Sequence, residues 1–214
     1  MNFDEYLVRW SSLHGDATVS LPIRLWLRIT FLFARPFVRI SPNAITMGGF
    51  ALSILAIFLD EIYAVSSVVL AGMILCLGII DSLDGIVATI TERNSLFGSF
   101  LDSMVDRAVD VAIAWLLLRH GAPMVPVLLA LTFTLVHEYM RARAIGLGVR
   151  DVAVITVAEK PTRIAIGVMF FLSLQVLSNH EREVMTTGAI TWSVVGTLGC
   201  VQLFVVLRPV SYTH

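Results

Sequence analysis

Beyond about residue 43 the chain is a succession of long apolar runs separated by short polar breaks. The runs cover approximately 43–59, 64–88, 98–118, 123–145, 161–178 and 188–207. Each approaches the roughly 20 residues that a helix needs to cross a bilayer. The breaks fall at Asp60-Glu61 and at residues 89–97, 119–123, 146–160 and 179–183. The pattern predicts an all-α integral membrane protein with six transmembrane helices. Residues 21–40 read differently. Arg24, Arg28, Arg35 and Arg39 are spaced to share one helical face, and Leu25, Leu27, Ile29, Phe31, Leu32, Phe33 and Phe37 fill much of the rest. Four arginines are costly inside a bilayer but suit an amphipathic helix lying in the interface, and this is the expectation for the segment. Ser41-Pro42 ends it, and Ser41 or Asn43 can cap the next helix. The expected organisation is a polar segment 1–20, an amphipathic juxtamembrane helix 21–40, a six-helix membrane domain 41–208 and a tail 209–214.

Composition supports the membrane assignment. Of 214 residues 57% are hydrophobic and 14% charged, and mean hydropathy is +0.85. Soluble domains carry about 25% charged residues. The net charge of −1 says little, but its distribution orients the chain. With six spans, the N-terminal region, the 89–97 and 146–160 loops and the C-terminus share one side. Every Lys and Arg except Arg119 and Arg182 lies at or near that side, which makes it cytoplasmic in a cell membrane. Trp10, Trp26 and Tyr6 suit an interfacial segment. Cys76 and Cys200 lie in apolar runs, so neither a disulfide framework nor a zinc site is expected. Asp4 and Glu5 break any basic-then-apolar pattern, so no cleavable signal peptide is expected. Nothing points to nucleic acid.

Candidate chemistry concentrates between Asp81 and Asp106. On a helix Asp81 and Asp84 are i and i+3, and Asp102 and Asp106 are i and i+4. Two such helices packed together aim four carboxylates at one point. Ionised carboxylates in a bilayer are costly unless a cation neutralises them. A donor set of carboxylates alone suits a hard cation such as Mg²⁺, Mn²⁺ or Ca²⁺, and four of them can hold two ions that clamp a phosphoryl group. Gly85, Ala88 and Gly98 remove side chains nearby. Structural ion pairing of all four would need several basic partners, and only Arg107 is local.

The spacing Asp81-x2-Asp84-Gly85-x2-Ala88, then Gly98-x3-Asp102-x3-Asp106, resembles the signature of the CDP-alcohol phosphotransferases. The resemblance implies a six-span enzyme with two Mg²⁺ or Mn²⁺ ions, held by Asp81, Asp84, Asp102 and Asp106. It implies that Asp106 is the general base. It also implies that Pro42, Asn43, Thr46, Gly85, Ala88, Thr89 and Gly98 line the site of the CDP-linked donor. The family usually has Arg where this chain has Thr89, and Arg93 lies one turn on.

A second cluster, Glu138-Tyr139-Met140-Arg141-Ala142-Arg143 with Glu159-Lys160-Pro161-Thr162-Arg163, resembles the phosphatidylglycerol-phosphate and phosphatidylinositol-phosphate synthase branch. There the basic residues hold the acceptor's phosphate, a role the resemblance extends to Arg141, Arg143, Lys160 and Arg163. It implies CDP-diacylglycerol as donor, CMP as leaving group and a homodimer. Glycerol 3-phosphate is the leading acceptor, with inositol phosphate and phosphatidylglycerol as alternatives. Ile145 and Gln202-Leu203 depart from the inositol-phosphate pattern. Three further residues read as structural: Glu138 paired with an Arg, His137 a buried hydrogen-bonding group, and Asp110 paired with Arg107 or Arg163. A reading from another class is a silent divalent-cation-binding membrane protein or a transporter. The nearly uncharged outer halves of the spans favour the enzyme.

Overall fold

A computed structural model describes residues 1–13, 21–149 and 155–210, and the described residues are helical throughout apart from short turns. The helices are α1 Phe3–Leu13, α2 Leu21–Ala34, α3 Pro42–Tyr63, α4 Ser67–Thr91, α5 Leu96–Arg119, α6 Met124–Gly146, α7 Lys160–Ser173 and α8 Glu181–Val210. Helices α3 to α8 fall where the six apolar runs predict spans. Three segments, Pro42–Tyr63, Ser67–Thr91 and Ser178–Arg208, are long and apolar enough to cross a membrane. The other three helices are held back by particular residues. Helix α5 carries Asp102, Asp106, Arg107 and Asp110, and α6 carries Glu138, Arg141 and Arg143. Helix α7 has only 14 residues, about 21 Å of rise, and ends at Ser173 instead of continuing to 178.

The expectation of a merely polar segment at 1–20 missed α1. Its signal is a capping box: Asn2 N–H donates to Glu5 Oε2 at 2.9 Å, and Glu5 N–H donates to Asn2 Oδ1 at 2.8 Å. Phe3, Tyr6, Leu7 and Trp10 follow at helical spacing. Tyr6 is buried with its ring 5.3 Å from that of Phe31 on α2, and burial pushes its phenol above the ordinary range. Residues 14–20 of that segment, and the expected tail 211–214, lie outside the described residues. The helix expected over 21–40 ends at Ala34. Pro36 follows within a 3₁₀ turn at Arg35–Phe37, because proline disfavours α geometry at the residue before it. Arg24, Arg28, Arg35 and Arg39 are all exposed.

Ser41 caps α3, its Oγ accepting from Ala44 N–H at 3.2 Å, with Pro42 in the first turn. Ser95 caps α5 the same way, accepting from Gly98 N–H at 2.9 Å. The core joins Leu70, Ile74 and Leu77 of α4 to Ile113 and Leu117 of α5, Phe171 of α7 and Trp192 of α8. The buried Trp192 donates its indole N–H to Thr134 Oγ1 at 3.1 Å, so its one polar group is satisfied.

One contact sets the register of the site. Helices α4 and α7 are antiparallel, and a Cβ on Gly78 would come within 2.9 Å of Ile164. Glycine therefore lets the two backbones approach. Asp81 is one turn after Gly78, and Lys160 is one turn before Ile164, so the close approach brings them to the same level.

Candidate functional site

Asp81, Asp102 and Asp106 each present a carboxylate oxygen, and these atoms lie within 4.8 Å of one another. Asp81 comes from the inner part of α4, Asp102 and Asp106 from the first half of α5. Asp84, one turn on from Asp81, lines the same narrow cleft. It is 5% exposed, and Thr46 Oγ–H donates to its Oδ2 at 2.5 Å. Thr46 is also 3.1 Å from the Pro42 carbonyl, so α3 fixes the orientation of an α4 carboxylate.

The other donor-side candidates sort by position. Gly85 is exposed, and a Cβ there would meet nothing within 4 Å, which leaves an open approach to the α4 backbone beside Asp84. Gly98 does something different. A Cβ there would lie 3.0 Å from Asn43 Oδ1, so this glycine admits Asn43 against the start of α5. Ala88 is half-buried. Thr89 is buried, and its hydroxyl donates to the Gly85 carbonyl at 2.8 Å. Arg93 is exposed beyond the end of α4.

The acceptor-side candidates do not form one group. The Lys160 ammonium lies between Asp81 and Asp106 and donates to both. Arg163 is 1% exposed, behind the cleft. Its Nε donates to Asp110 Oδ1 at 3.0 Å, and its Nη1 donates to the Ala158 carbonyl at 2.6 Å and faces Glu138 Oε1 at 3.5 Å. Arg107 closes the same network, 3.3 Å from Asp110 and 3.4 Å from Glu138. The expected pairings of Asp110 and Glu138 are thus present. Arg141 donates to Glu159 Oε1 at 2.5 Å, whereas Arg143 is exposed.

Of the residues that hold the segment before α7, sequence reasoning read His137 as a buried hydrogen-bonding group but gave Thr156 and Gln202 no such role. Thr156 Oγ1 shares a hydrogen bond with buried His137 Nε2 at 2.9 Å, and Thr156 N–H donates to Glu159 Oε1 at 3.0 Å. Gln202 on α8 accepts from Val157 N–H at 3.0 Å. Together these bonds fix where Lys160 begins its helix. A signal for Lys160 itself was available: it is the only lysine in the chain, and all other basic positions apart from histidines are arginine. Lysine brings a compact ammonium on a flexible stem where every arginine would bring a planar fork.

A family model described as CDP-alcohol phosphatidyltransferase matches residues 39–201. The chain belongs to that family. It is an enzyme of the transferase class and an integral membrane protein with helical spans. It is 38% identical over 137 residues to the archaetidylinositol phosphate synthase of Pyrococcus horikoshii, covering 63% of this chain and 70% of that one. Identity to the protein of the same name from Methanothermobacter thermautotrophicus is 35% over 131 residues, 60% of this chain and 65% of that one. Among solved structures it resembles the phosphatidylinositol phosphate synthase of Mycobacterium tuberculosis with CDP-DAG bound. There the TM-score is 0.66 at 25% identity, over 83% of this chain and 92% of that one. The same protein in complex with manganese and citrate gives a TM-score of 0.63 at 23% identity, over 82% and 87% of the two chains.

The donor set fits a divalent metal. Three converging carboxylates with no histidine or thiolate among them suit a hard cation, and a positive group, the Lys160 ammonium, already lies between two of them.

Proposed function

We propose that this transferase moves the lipid-phosphoryl group of a CDP-linked lipid, CDP-diacylglycerol or its archaeal counterpart, to a hydroxyl of inositol phosphate, releasing CMP. The observation that carries this reading is four aspartates of α4 and α5 around one cleft, three with carboxylate oxygens within 4.8 Å of one another and two paired with Lys160. The acceptor differs from the glycerol 3-phosphate favoured by sequence. The two archaeal relatives are named archaetidylinositol phosphate synthases. Of the Gln-Arg pair expected in an inositol-phosphate enzyme this chain keeps Gln202, which holds the loop before α7, and has Leu203 in place of the Arg.

Asp81, Asp84, Asp102 and Asp106 would hold Mg²⁺ or Mn²⁺, two ions by the carboxylate count, and bound metal would neutralise the diphosphate and favour departure of CMP. Asp106 takes the proton from the acceptor hydroxyl as its oxygen attacks the β-phosphorus and the bond to the CMP oxygen breaks. Thr46 keeps Asp84 in one orientation. The open face at Gly85 admits the donor's headgroup, and Asn43 at Gly98 borders it. Arg141, oriented by Glu159, together with Arg143 and Lys160, faces the acceptor's phosphate. Arg163 acts from behind by fixing the Ala158 carbonyl and the start of α7. All six helices α3 to α8 cross the bilayer, with the aspartates opening to the cytoplasm, as the placement of the arginines supports.

The test is CMP release by purified protein with Mg²⁺ or Mn²⁺ and CDP-diacylglycerol or its archaeol analogue. Inositol 1-phosphate, glycerol 3-phosphate and phosphatidylglycerol are offered separately, and products are identified by mass. The inositol-phosphate lipid should dominate. A dominant glycerol 3-phosphate product reverses the acceptor assignment, and no CMP with any acceptor refutes the reaction.

One observation favours a silent cation binder: Thr89, in the usual arginine position, spends its hydroxyl on the Gly85 carbonyl. Asp106→Asn separates the two readings. The enzyme loses turnover and keeps donor binding, whereas a silent binder has no turnover to lose.

A further inference from the structure

Lys160 and any divalent cation at the aspartate cleft need the same oxygens. The ammonium donates to Asp81 and to Asp106, two of the three carboxylates that converge within 4.8 Å. Its side chain is only 11% exposed, so these carboxylates provide most of its charge compensation. A cation coordinated by Asp81 and Asp106 places a positive charge within a few ångströms of that ammonium. At such range like charges repel strongly even with substantial dielectric screening. The ammonium can move, because four flexible methylenes carry it.

Where it moves is set by its surroundings. The start of α7 is pinned by the Gln202–Val157, Thr156–Glu159 and Arg163–Ala158 bonds, so the backbone stays and only the side chain swings. The inward direction is closed to a displaced cation by Arg163 and Arg107, whose charges are already matched by Asp110 and Glu138. The outward direction leads to the side of Arg141 on α6, whose partner Glu159 neighbours Lys160 in sequence.

We propose that Lys160 is a cation-released arm: divalent metal displaces its ammonium from Asp81 and Asp106, and the freed ammonium then binds the phosphate of the acceptor. Acceptor binding thereby becomes dependent on a loaded metal site. The inference rests on the reading that the acceptor is a phosphorylated alcohol. Charge favours the same order. Four carboxylates against one ammonium leave the cleft short of cations, and two divalent ions would neutralise the carboxylates in full. The ammonium's charge is then left for an anion. Because coupling between ligands is reciprocal, phosphate binding must also tighten metal binding.

The uniqueness of Lys160 makes the test direct. Reductive methylation of the folded protein can modify only Lys160 and the N-terminal amine, and peptide mass separates the two. Saturating Mn²⁺ should raise methylation of Lys160 several-fold with the N-terminal amine unchanged, and inorganic phosphate added with Mn²⁺ should protect it again. Unchanged or lower labelling on adding Mn²⁺ overturns the displacement. Labelling that phosphate does not reduce overturns the second half. A second arm measures Mn²⁺ affinity by electron paramagnetic resonance in Lys160→Gln and Lys160→Arg. Loss of the competitor should tighten Mn²⁺ by about tenfold in Lys160→Gln and leave no phosphate–Mn²⁺ coupling, while Lys160→Arg retains part of the coupling. Equal affinity and equal coupling in wild type and Lys160→Gln contradict the proposal. None of these readouts requires turnover, so an enzyme inactive with every acceptor sinks the assigned reaction without deciding the role of the arm.

Discussion

Two charged clusters sit one helical turn apart on α5, and their charge balance is opposite. Around Asp110 the charges match: Asp110 and Glu138 face Arg107 and Arg163, with Arg163 and Asp110 almost wholly buried at 3.0 Å. Around Asp106 they do not. Asp81, Asp84, Asp102 and Asp106 share one lysine, with Arg107 a further 3.6 Å from Asp106. A balanced buried network is a satisfied piece of scaffold, and removing one member strands its partners. An unbalanced one stays short of positive charge until a cation arrives. The same residue type on the same helix is thus charge-matched at one turn and left short of cations at the next, and the count of basic partners tells them apart.

The contrast should break most visibly at Asp106. Asp106→Asn should lower turnover on the order of 10³-fold, the usual worth of a general base, while thermal stability in detergent holds or rises because the cleft carries more carboxylates than cations. The mirror experiment is Arg163→Met. It should cost about 3–5 kcal/mol of stability by leaving Asp110 and Glu138 short of a partner, seen as a lower melting temperature. If Asp106→Asn destabilised and Arg163→Met did not, the two clusters would have been assigned the wrong way round. A smaller effect is expected at Thr46→Val, which removes a hydrogen bond to the Asp84 carboxylate. Hydrogen bonds to charged groups are worth about 1.5–3 kcal/mol of stability, so the melting temperature should fall by less than in Arg163→Met, and kcat/KM should fall with it as Asp84 loses its fixed orientation. The smallest belongs to Arg9→Ala, which breaks the exposed pair with Glu92 at 3.0 Å between α1 and the end of α4. Such pairs contribute at most about 1 kcal/mol, and melting and turnover should both stay near wild type.

The balance itself was only half visible in the sequence. Hydrophobic runs gave the positions of α3 to α8, and i, i+3 and i, i+4 spacings put each aspartate pair on one face. Those are local relations, and local relations are what a linear pattern carries. Lys160 escaped assignment to the aspartates because it reaches Asp81 and Asp106 across 79 and 54 residues of chain, through a close approach at Gly78 that no periodicity announces. Arg163 resembled a phosphate ligand by its motif and was also read as a possible partner of Asp110; packing turns its guanidinium to Asp110. The length of α7 was overestimated because the apolar run continues past Ser173 into residues that turn. Helix α1 was legible through Asn2, Glu5 and its apolar spacing, but its short length and low hydropathy hid it beside the long runs. The hydropathy of α5 and α6 is lowered by the charged residues that build the two clusters.

The most direct test of the central claim is Mn²⁺ uptake by the purified protein, followed by loss of the free-ion paramagnetic resonance signal in wild type and in Asp102→Asn. Melting curves would confirm that both are folded. The account predicts that wild type sequesters Mn²⁺ and that Asp102→Asn binds it at least about tenfold more weakly, since even residues that only support metal ligands are worth about that much. Equal uptake by the two proteins, or none by wild type, would contradict it.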